Sequence, residues 1–300
     1  MTPNAVDAAS RCLDPHTLDL GFMQLTWLQI MILGVVQGIT ELLPISSTAH
    51  LRVIPGLLGW RDPGSAFSAA MQLASFIAVI AYFRRDLRIL SVGSIGAVLR
   101  RDWTAEPFRL VVGIAIGTIP FGLAGLFLRP VLNECNSPLR GLFLVGIASI
   151  VMALLLAIAE RSARHTRGFG DLRTADCLWV GLAQAFAVIP GVSRSGATLT
   201  AGLFCSMRRD TAARFSFLLG LPAITLAGFY ELYVLLRADL PAQGWLLLGL
   251  GLLTASITAF VVIYGLLHYL ERRSTWVFVW YRLFMGAALV IGVASGYLNN

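Results

Sequence analysis

Polar side chains that could do chemistry are concentrated in one apolar stretch near the amino terminus. Residues 34–50 have the sequence GVVQGITELLPISSTAH, in which a carboxylate, three hydroxyls and an imidazole follow one another within ten positions. Gln37 precedes Glu41 by four residues, which puts both side chains on one face of a helix. Polar groups inside apolar sequence are costly in a membrane and are typical of a functional site.

This stretch offers an acid, a nucleophile and a base. We predict Glu41 as the acid and Ser47 as the nucleophile, with His50 three positions further on as the base. A water molecule activated by His50, or by a metal that Glu41 holds, is the alternative nucleophile. One of the hydroxyls of Ser46, Ser47 and Thr48 is expected to cap a helix, and the others to bind substrate.

A second stretch, 147 positions further on, repeats the pattern. Residues 181–198 have the sequence GLAQAFAVIPGVSRSGAT, and the offset aligns Gly34 with Gly181, Gln37 with Gln184 and Ser46 with Ser193. In both stretches an apolar run meets a proline and then hydroxyl residues. Because proline stops a helix and hydroxyls favour a new helix start, each stretch is predicted to form two half-helices.

Arg194 is the residue of the second stretch that could bind an anion. Its guanidinium could hold a phosphate oxygen with two N–H groups, beside helix starts whose positive ends favour anions. An ion pair with Glu41 is the structural alternative. Gly196 would let the backbone approach a ligand closely. Further substrate contacts are expected from Ser193, Ser195 and Thr198.

The composition indicates a membrane protein. Of 300 residues, 57% are hydrophobic and 13% are charged. The net charge of +7 does not indicate a nucleic-acid partner, because the arginines lie between apolar runs without a basic cluster that contains aromatics. The four cysteines have no metal-binding spacing.

The pattern of apolar runs predicts an all-α integral membrane fold. Six runs are long enough to span a bilayer, near 66–83, 108–128, 140–160, 213–236, 244–270 and 276–297. The two proline-interrupted regions, near 24–58 and 176–206, are predicted to be re-entrant helical hairpins. Residues 1–21 are expected to form an outward-facing tail, and 22–297 a single membrane domain.

The two halves of this domain are predicted to form an inverted repeat, about 22–160 and about 176–297. Each half has one hairpin and three spans, and three crossings turn the second half upside down. Segments 84–109, 160–176, 207–214 and 271–273 together hold fifteen arginines, against five on the opposite side. The arginine-rich side is therefore predicted to be cytoplasmic, which makes the first hairpin open to the outer side.

The stretches GVVQGITELLPISSTAH and PGVSRSGAT resemble the two motifs of the bacterial undecaprenyl pyrophosphate phosphatase, or bacitracin-resistance, family. This resemblance implies hydrolysis of undecaprenyl diphosphate to undecaprenyl phosphate and inorganic phosphate in the bacterial inner membrane. Such an enzyme recycles the lipid carrier of cell-wall synthesis and confers bacitracin resistance. The resemblance also points to a divalent cation, Mg²⁺ or Ca²⁺, on Glu41 with Gln37. The sequence leaves open whether the protein forms a homodimer.

A transporter or flippase for a polyprenyl phosphate or a similar anionic lipid is the alternative function. Inverted repeats with broken helices are typical of transporters that alternate between two open states. However, the acid, the serine and the histidine of the first stretch occur in only one repeat. The second repeat has Val188, Arg194 and Ala197 at the matching positions. Chemistry confined to one half of a symmetric frame favours an enzyme.

Overall fold

The structure, a computed structural model, describes residues 20–133, 141–237 and 240–298. These residues are helical or lie in connections, apart from one β-bridge between Arg167 and Met207. Nearly all of the predicted amino-terminal tail lies outside the described residues. Its last position, Gly21, begins a 3-10 turn that contains the fully buried Phe22.

The described residues form twelve α-helices, which we number in chain order. They are α1 (Trp27–Leu42), α2 (Ser47–Leu57), α3 (Ser65–Ala70), α4 (Gln72–Tyr82), α5 (Arg84–Arg100), α6 (Glu106–Asn133), α7 (Leu142–Ser162), α8 (Thr174–Ala185), α9 (Arg194–Phe204), α10 (Arg209–Arg237), α11 (Ala242–Arg272) and α12 (Trp276–Ala294).

Both predicted helix breaks are confirmed. Helix α1 ends just before Pro44 and α2 restarts at Ser47, while α8 continues into a 3-10 turn before Pro190 and α9 restarts at Arg194. Proline disfavours the helical conformation of the residue before it and has no N–H to donate, which favours an interruption of the helix at both positions. The residues before the two restarts, Ser46 and Ser193, have matching positive φ angles of 74° and 70°.

Five helices, α6, α7, α10, α11 and α12, are long and apolar enough to cross a membrane. The sixth predicted span, 66–83, is not one helix. It is divided into α3 and α4, which have 6 and 11 residues and are each too short to cross alone. The division lies at Met71, whose carbonyl accepts an i→i+3 hydrogen bond of 3.1 Å from Ala74 N, so the helix tightens there.

Helix α5 occupies the arginine-rich segment that the sequence marked only as a connection. It is apolar on two faces: Leu90 and Ala97 are buried, whereas Ile89, Val92 and Ile95 are exposed. The helix packs against α6 and α4. Helix α5 is not one of the five span-length helices, and its charged residues distinguish it from them.

Helix α10 runs through the largest buried cluster of the described residues. It contacts α4, α6, α9 and α11. Phe215, Leu218 and Leu219 are buried there together with Val180 of α8 and Ile263 of α11. The second hairpin is therefore fixed against helices from both halves of the chain.

Glycines let two pairs of helices cross closely, α1 with α11 and α8 with α6. A methyl group at Gly34 would collide with the side chain of Thr254, and one at Gly181 would collide with the backbone of Gly117. Close contacts through small residues are typical of helix packing in membranes. Gly34 and Gly181 occupy matching positions of the two sequence stretches, so the first helix of each hairpin packs by the same device.

A third close crossing joins α7 to α12. A methyl group at Gly146 would lie 2.9 Å from Gly286 O, and one at Gly286 would lie 2.8 Å from Gly146 O. The two helices thus meet backbone to backbone, each through a single glycine.

The closeness of these crossings predicts a large effect of one added methyl group. We expect Gly181→Ala to destabilise the protein by about 1–3 kcal/mol, because the backbone of Gly117 cannot move aside without shifting α6. The melting temperature in detergent measures this loss. Gly122→Ala on the same α6 faces open space and serves as the control. Equal melting temperatures for the two variants would contradict the crossing.

Candidate functional site

Glu41 is the centre of the candidate site. It lies near the end of α1, and its side chain is 7% exposed. Its Oε2 accepts hydrogen bonds from Gln37 Nε2 at 3.0 Å and from Ser47 Oγ at 2.5 Å. The predicted shared helical face of Gln37 and Glu41 is thus confirmed. Because both groups donate, the geometry suits an ionised carboxylate.

Arg194 reaches Glu41 from the other hairpin. It is the first residue of α9, and its Nη2 donates to Oε1 of Glu41 in a close ion pair. The ion pair with Glu41, which was the structural alternative to anion binding by Arg194, is therefore present. A small cavity lies beside this pair, with Val79 of α4 and Gly220 of α10 in its lining. Both charged groups are largely buried, and a buried charge needs a partner whenever no ligand provides one.

The predicted pairing of Ser47 with His50 is absent, since neither ring nitrogen of His50 contacts Ser47. His50 Nδ1 lies 2.7 Å from Ser46 O, and Nε2 lies 2.5 Å from the hydroxyl of Tyr281. Ser47 instead turns across the break towards Glu41. Long side chains of a helix point back towards its amino terminus, which brings His50 over the first turn of α2.

The hydroxyl cap predicted for α2 is wrong. The side chain of Ser46, the residue before the helix, accepts no capping bond, and its buried Oγ has no hydrogen-bond partner among the described residues. The contact of Ser46 with the first turn of α2 is through its carbonyl oxygen, which lies within hydrogen-bond distance of His50 N and Nδ1. In the second hairpin Ser193 does cap, because its Oγ accepts from Gly196 N at 3.2 Å. Thr48 is exposed on α2.

The other predicted substrate contacts of the second motif bond to protein groups. Ser195 Oγ donates to Leu43 O at 2.9 Å and to Glu41 O at 3.2 Å, so it fixes the end of α1. Thr198 Oγ1 donates to Arg194 O at 2.8 Å and also contacts the hydroxyl of Ser216. These hydroxyls join the two hairpins and the adjoining helix α10.

Gly196 permits a close approach, but of a protein group. A methyl group there would lie 3.0 Å from Arg282 Nη1. The space that the sequence assigned to a ligand is thus bordered by a guanidinium from the last helix.

Arg282 of α12 binds both helix breaks at once. Its Nη1 donates to Pro44 O at 3.0 Å, and its Nη2 donates to Gly191 O at 2.8 Å and to Val192 O at 3.1 Å. Its Nε donates to Ser149 O at 3.3 Å. The residue is 1% exposed. The carbonyls of Pro44, Gly191 and Val192 lie where the helices are interrupted, and the side chain of Arg282 provides hydrogen bonds to all three.

Neither Tyr281 nor Arg282 was singled out from the sequence as a residue of the site. The signal that could have found their contacts is the position of the pair, an arginine and a hydroxyl inside an otherwise apolar span. The partners of this pair in the first hairpin, His50 and Pro44, lie more than 200 residues away in the sequence. No spacing within the sequence specifies such contacts.

The residues around Glu41 fit a divalent cation only if the substrate completes the site. No group of three or more His, Cys, Asp or Glu side chains lies together in the part of the chain that the structure describes. Glu41 supplies one carboxylate, and the buried Oε1 of Gln37 has no hydrogen-bond partner in the described part of the chain. Two hard oxygen ligands suit Mg²⁺ or Ca²⁺, provided that diphosphate oxygens and water supply the rest.

Comparison with known proteins identifies the family. The family model described as "Bacitracin resistance protein BacA" matches residues 30–288, which include both hairpins and Arg282. The chain belongs to the BacA family. Membership in BacA and the five span-length helices together make it a multi-pass membrane protein.

Relatives of this BacA protein are similar over nearly their whole length. "Undecaprenyl-diphosphatase 2" of Mesorhizobium japonicum is 57% identical over 263 residues, which are 88% of this chain and 100% of that protein. "Undecaprenyl-diphosphatase" of Synechococcus elongatus is 51% identical over 91% of this chain and 95% of its own. The protein of the same name from Trichormus variabilis is 47% identical over 95% and 90%.

Proposed function

We propose that this protein hydrolyses undecaprenyl diphosphate to undecaprenyl phosphate and inorganic phosphate. The observation that carries the proposal is the contact of Ser47 and Arg194 with one carboxylate, Glu41, across two helix breaks. This arrangement provides a hydroxyl, a base and a phosphate-binding cation within a few ångströms. The names of the relatives and their coverage of this chain support the substrate.

The substrate is expected to lie with its diphosphate at the two helix restarts and its polyprenyl chain along apolar helix faces. In this arrangement Arg194 leaves Glu41 and binds the terminal phosphate with its planar fork. The starts of α2 and α9 add unpaired backbone N–H groups that favour an anion. The exchange keeps the guanidinium paired, because the phosphate takes the place of the carboxylate there, and it frees Glu41 to act as a base.

The reaction then uses the pair that the structure joins at 2.5 Å. Ser47 Oγ attacks the terminal phosphorus while Glu41 accepts its proton, and the bond from that phosphorus to the bridging oxygen breaks. Undecaprenyl phosphate leaves with the electron pair. Water hydrolyses the resulting phosphoserine to inorganic phosphate and restores Ser47. Glu41 therefore replaces His50 as the expected base, and direct attack by water with Glu41 as base is the alternative.

A divalent cation, Mg²⁺ or Ca²⁺, is proposed as cofactor, with Glu41 and Gln37 as its protein ligands. When bound, it would neutralise charge on the diphosphate oxygens. Support comes from Oε1 of Gln37, which has no hydrogen-bond partner among the described residues and lies beside the carboxylate of Glu41.

The inverted repeat is proposed as the topology of the single membrane domain, 22–297. The matching break angles at Ser46 and Ser193 support it, as do the matching crossings of α1 with α11 and of α8 with α6. The arginine distribution favours an inner-membrane protein with its arginine-rich face in the cytoplasm and its site open to the periplasm.

The cellular role that follows is recycling of the lipid carrier for cell-wall synthesis, with bacitracin resistance as its consequence. The description of the family supports this role. A transporter would be expected to use both halves alike, yet only the first hairpin carries the Glu41–Ser47 pair. The relatives reported above are all named diphosphatases.

The activity is tested by phosphate release from a polyprenyl diphosphate by the purified protein. If serine attacks, Ser47→Ala should lose at least about a hundredfold in kcat, whereas attack by water would leave a tenth or more of the rate. Arg194→Lys keeps the charge but loses the fork, so we expect a loss of more than about tenfold. Ser162→Ala, on the exposed end of α7, is the control. Absence of phosphate release by the wild-type protein would contradict the proposal.

The cation is tested by titration of the metal after treatment with excess chelator. We expect the rate to vanish and to return with Mg²⁺ or Ca²⁺. Gln37→Glu adds a second carboxylate and should lower the metal concentration needed for half the maximal rate. Gln243→Glu, which is exposed at the start of α11, should leave that concentration unchanged. Full activity in excess chelator would rule out the cofactor.

The orientation is tested with single cysteines in a background without the four native ones. Ser91→Cys on α5 should resist an impermeant thiol reagent in intact spheroplasts and react after lysis. Arg61→Cys, in the connection after α2, should react in both preparations. Both positions are exposed in the structure. The opposite labelling would place the mouth of the first hairpin in the cytoplasm.

A further inference from the structure

The hydrogen bonds of His50 determine which of its ring nitrogens carries the proton. Nδ1 lies 2.7 Å from Ser46 O, and a carbonyl oxygen can only accept, so Nδ1 must donate. In the neutral ring Nε2 then has no proton and accepts from the hydroxyl of Tyr281 at 2.5 Å. The two rings are also stacked, with centroids 5.7 Å apart and planes at 12°.

The carbonyl that His50 holds belongs to the strained residue of the first break. Ser46 has a φ of 74°, a conformation that is unfavourable for a residue with a side chain. In the second hairpin the matching Ser193 caps its own helix with its hydroxyl, but the hydroxyl of Ser46 makes no such bond. The two breaks thus differ: His50 binds the backbone carbonyl of Ser46 in the first, and Ser193 Oγ accepts from a backbone N–H in the second.

The position of Ser46 decides where Ser47 points. Ser47 is the first residue of α2, and its Oγ reaches Glu41 only because the chain turns sharply at the preceding residue. Any loosening of the Ser46 carbonyl changes the direction in which α2 starts. The 2.5 Å contact between Ser47 and Glu41 is therefore sensitive to the bond between His50 and Ser46.

We infer that Tyr281 is a positioning residue for the reaction. Its hydroxyl bonds Nε2 of His50 and so fixes the position of the ring, while Nδ1 holds Ser46 O and the break presents Ser47 to Glu41. Tyr281 lies beside Arg282, which binds Pro44 O of the same break, so α12 fixes this loop through two neighbouring side chains. The inference rests on the proposed phosphatase activity for its consequence, but the arrangement of protons exists without substrate.

The first test measures the tautomer directly by ¹⁵N NMR of histidine-labelled wild-type protein in detergent. The chain has four histidines, and His50→Asn identifies the signal of His50. We expect a protonated Nδ1 and an unprotonated Nε2 in the wild type, and a displaced Nε2 signal in Tyr281→Phe, because that nitrogen loses the hydroxyl from which it accepts. Tyr264 stacks on His268 in the same way and supplies the control, because Tyr264→Phe should leave the His50 signal unchanged. A proton on Nε2 of wild-type His50 would overturn the inference.

The second test is a double-mutant cycle on phosphate release. Tyr281→Phe should lower kcat about tenfold with KM nearly unchanged, because substrate still binds but Ser47 is misplaced. In a His50→Asn background the same change should cost little more, since the asparagine amide can donate to Ser46 O and has no Nε2 for the hydroxyl to bind. Equal losses in both backgrounds would show that Tyr281 acts without His50 and would overturn the inference.

The two tests separate this inference from the proposed function. A wild-type protein that releases no phosphate but has the expected tautomer would contradict the phosphatase activity alone. If Tyr281→Phe fails to fold, the wild-type signal of Nε2 still shows whether this nitrogen accepts from a hydroxyl, and a free Nε2 would overturn the inference.

Discussion

The constraint on which this structure depends is that backbone groups freed inside a membrane must find partners within the protein. An unpaired carbonyl in an apolar medium costs several kcal/mol, and two helices of this membrane protein are interrupted at buried residues. Arg282 binds carbonyls of both breaks, Ser195 binds the end of α1, and His50 binds Ser46 O. The same contacts that satisfy the backbone bring the two hairpins together. The candidate site therefore lies where the fold has to provide hydrogen bonds for these carbonyl groups.

The sequence predicted the features that depend on local rules. The breaks at Pro44 and Pro190 follow from the covalent structure of proline, and the contact of Gln37 with Glu41 follows from helical periodicity. The contact of Ser47 with Glu41 was not predictable, because it depends on the unusual backbone at Ser46. The prediction of one undivided span at 66–83 was wrong for a similar reason. Apolar composition specifies burial, but it does not show whether one turn tightens.

The two halves share a frame and differ in chemistry. Glycines at matching positions allow the same helix crossings, and serines at matching positions allow the same sharp turn. On this frame the first hairpin places a carboxylate and a hydroxyl, and the second places a guanidinium opposite them. The ion pair between Glu41 and Arg194 keeps two buried charges neutralised until an anion arrives. The two buried charges can thus stabilise each other when no ligand is bound.

The reach of Arg282 has a consequence for the order of biosynthesis. The first hairpin leaves the ribosome long before the last helix, yet the carbonyl of Pro44 finds its partner only in residue 282. A nascent chain that ends before α12 has to leave this carbonyl, and those of Gly191 and Val192, to water or to temporary partners. Assembly of the site is therefore a late event, and the carboxy-terminal helix closes it.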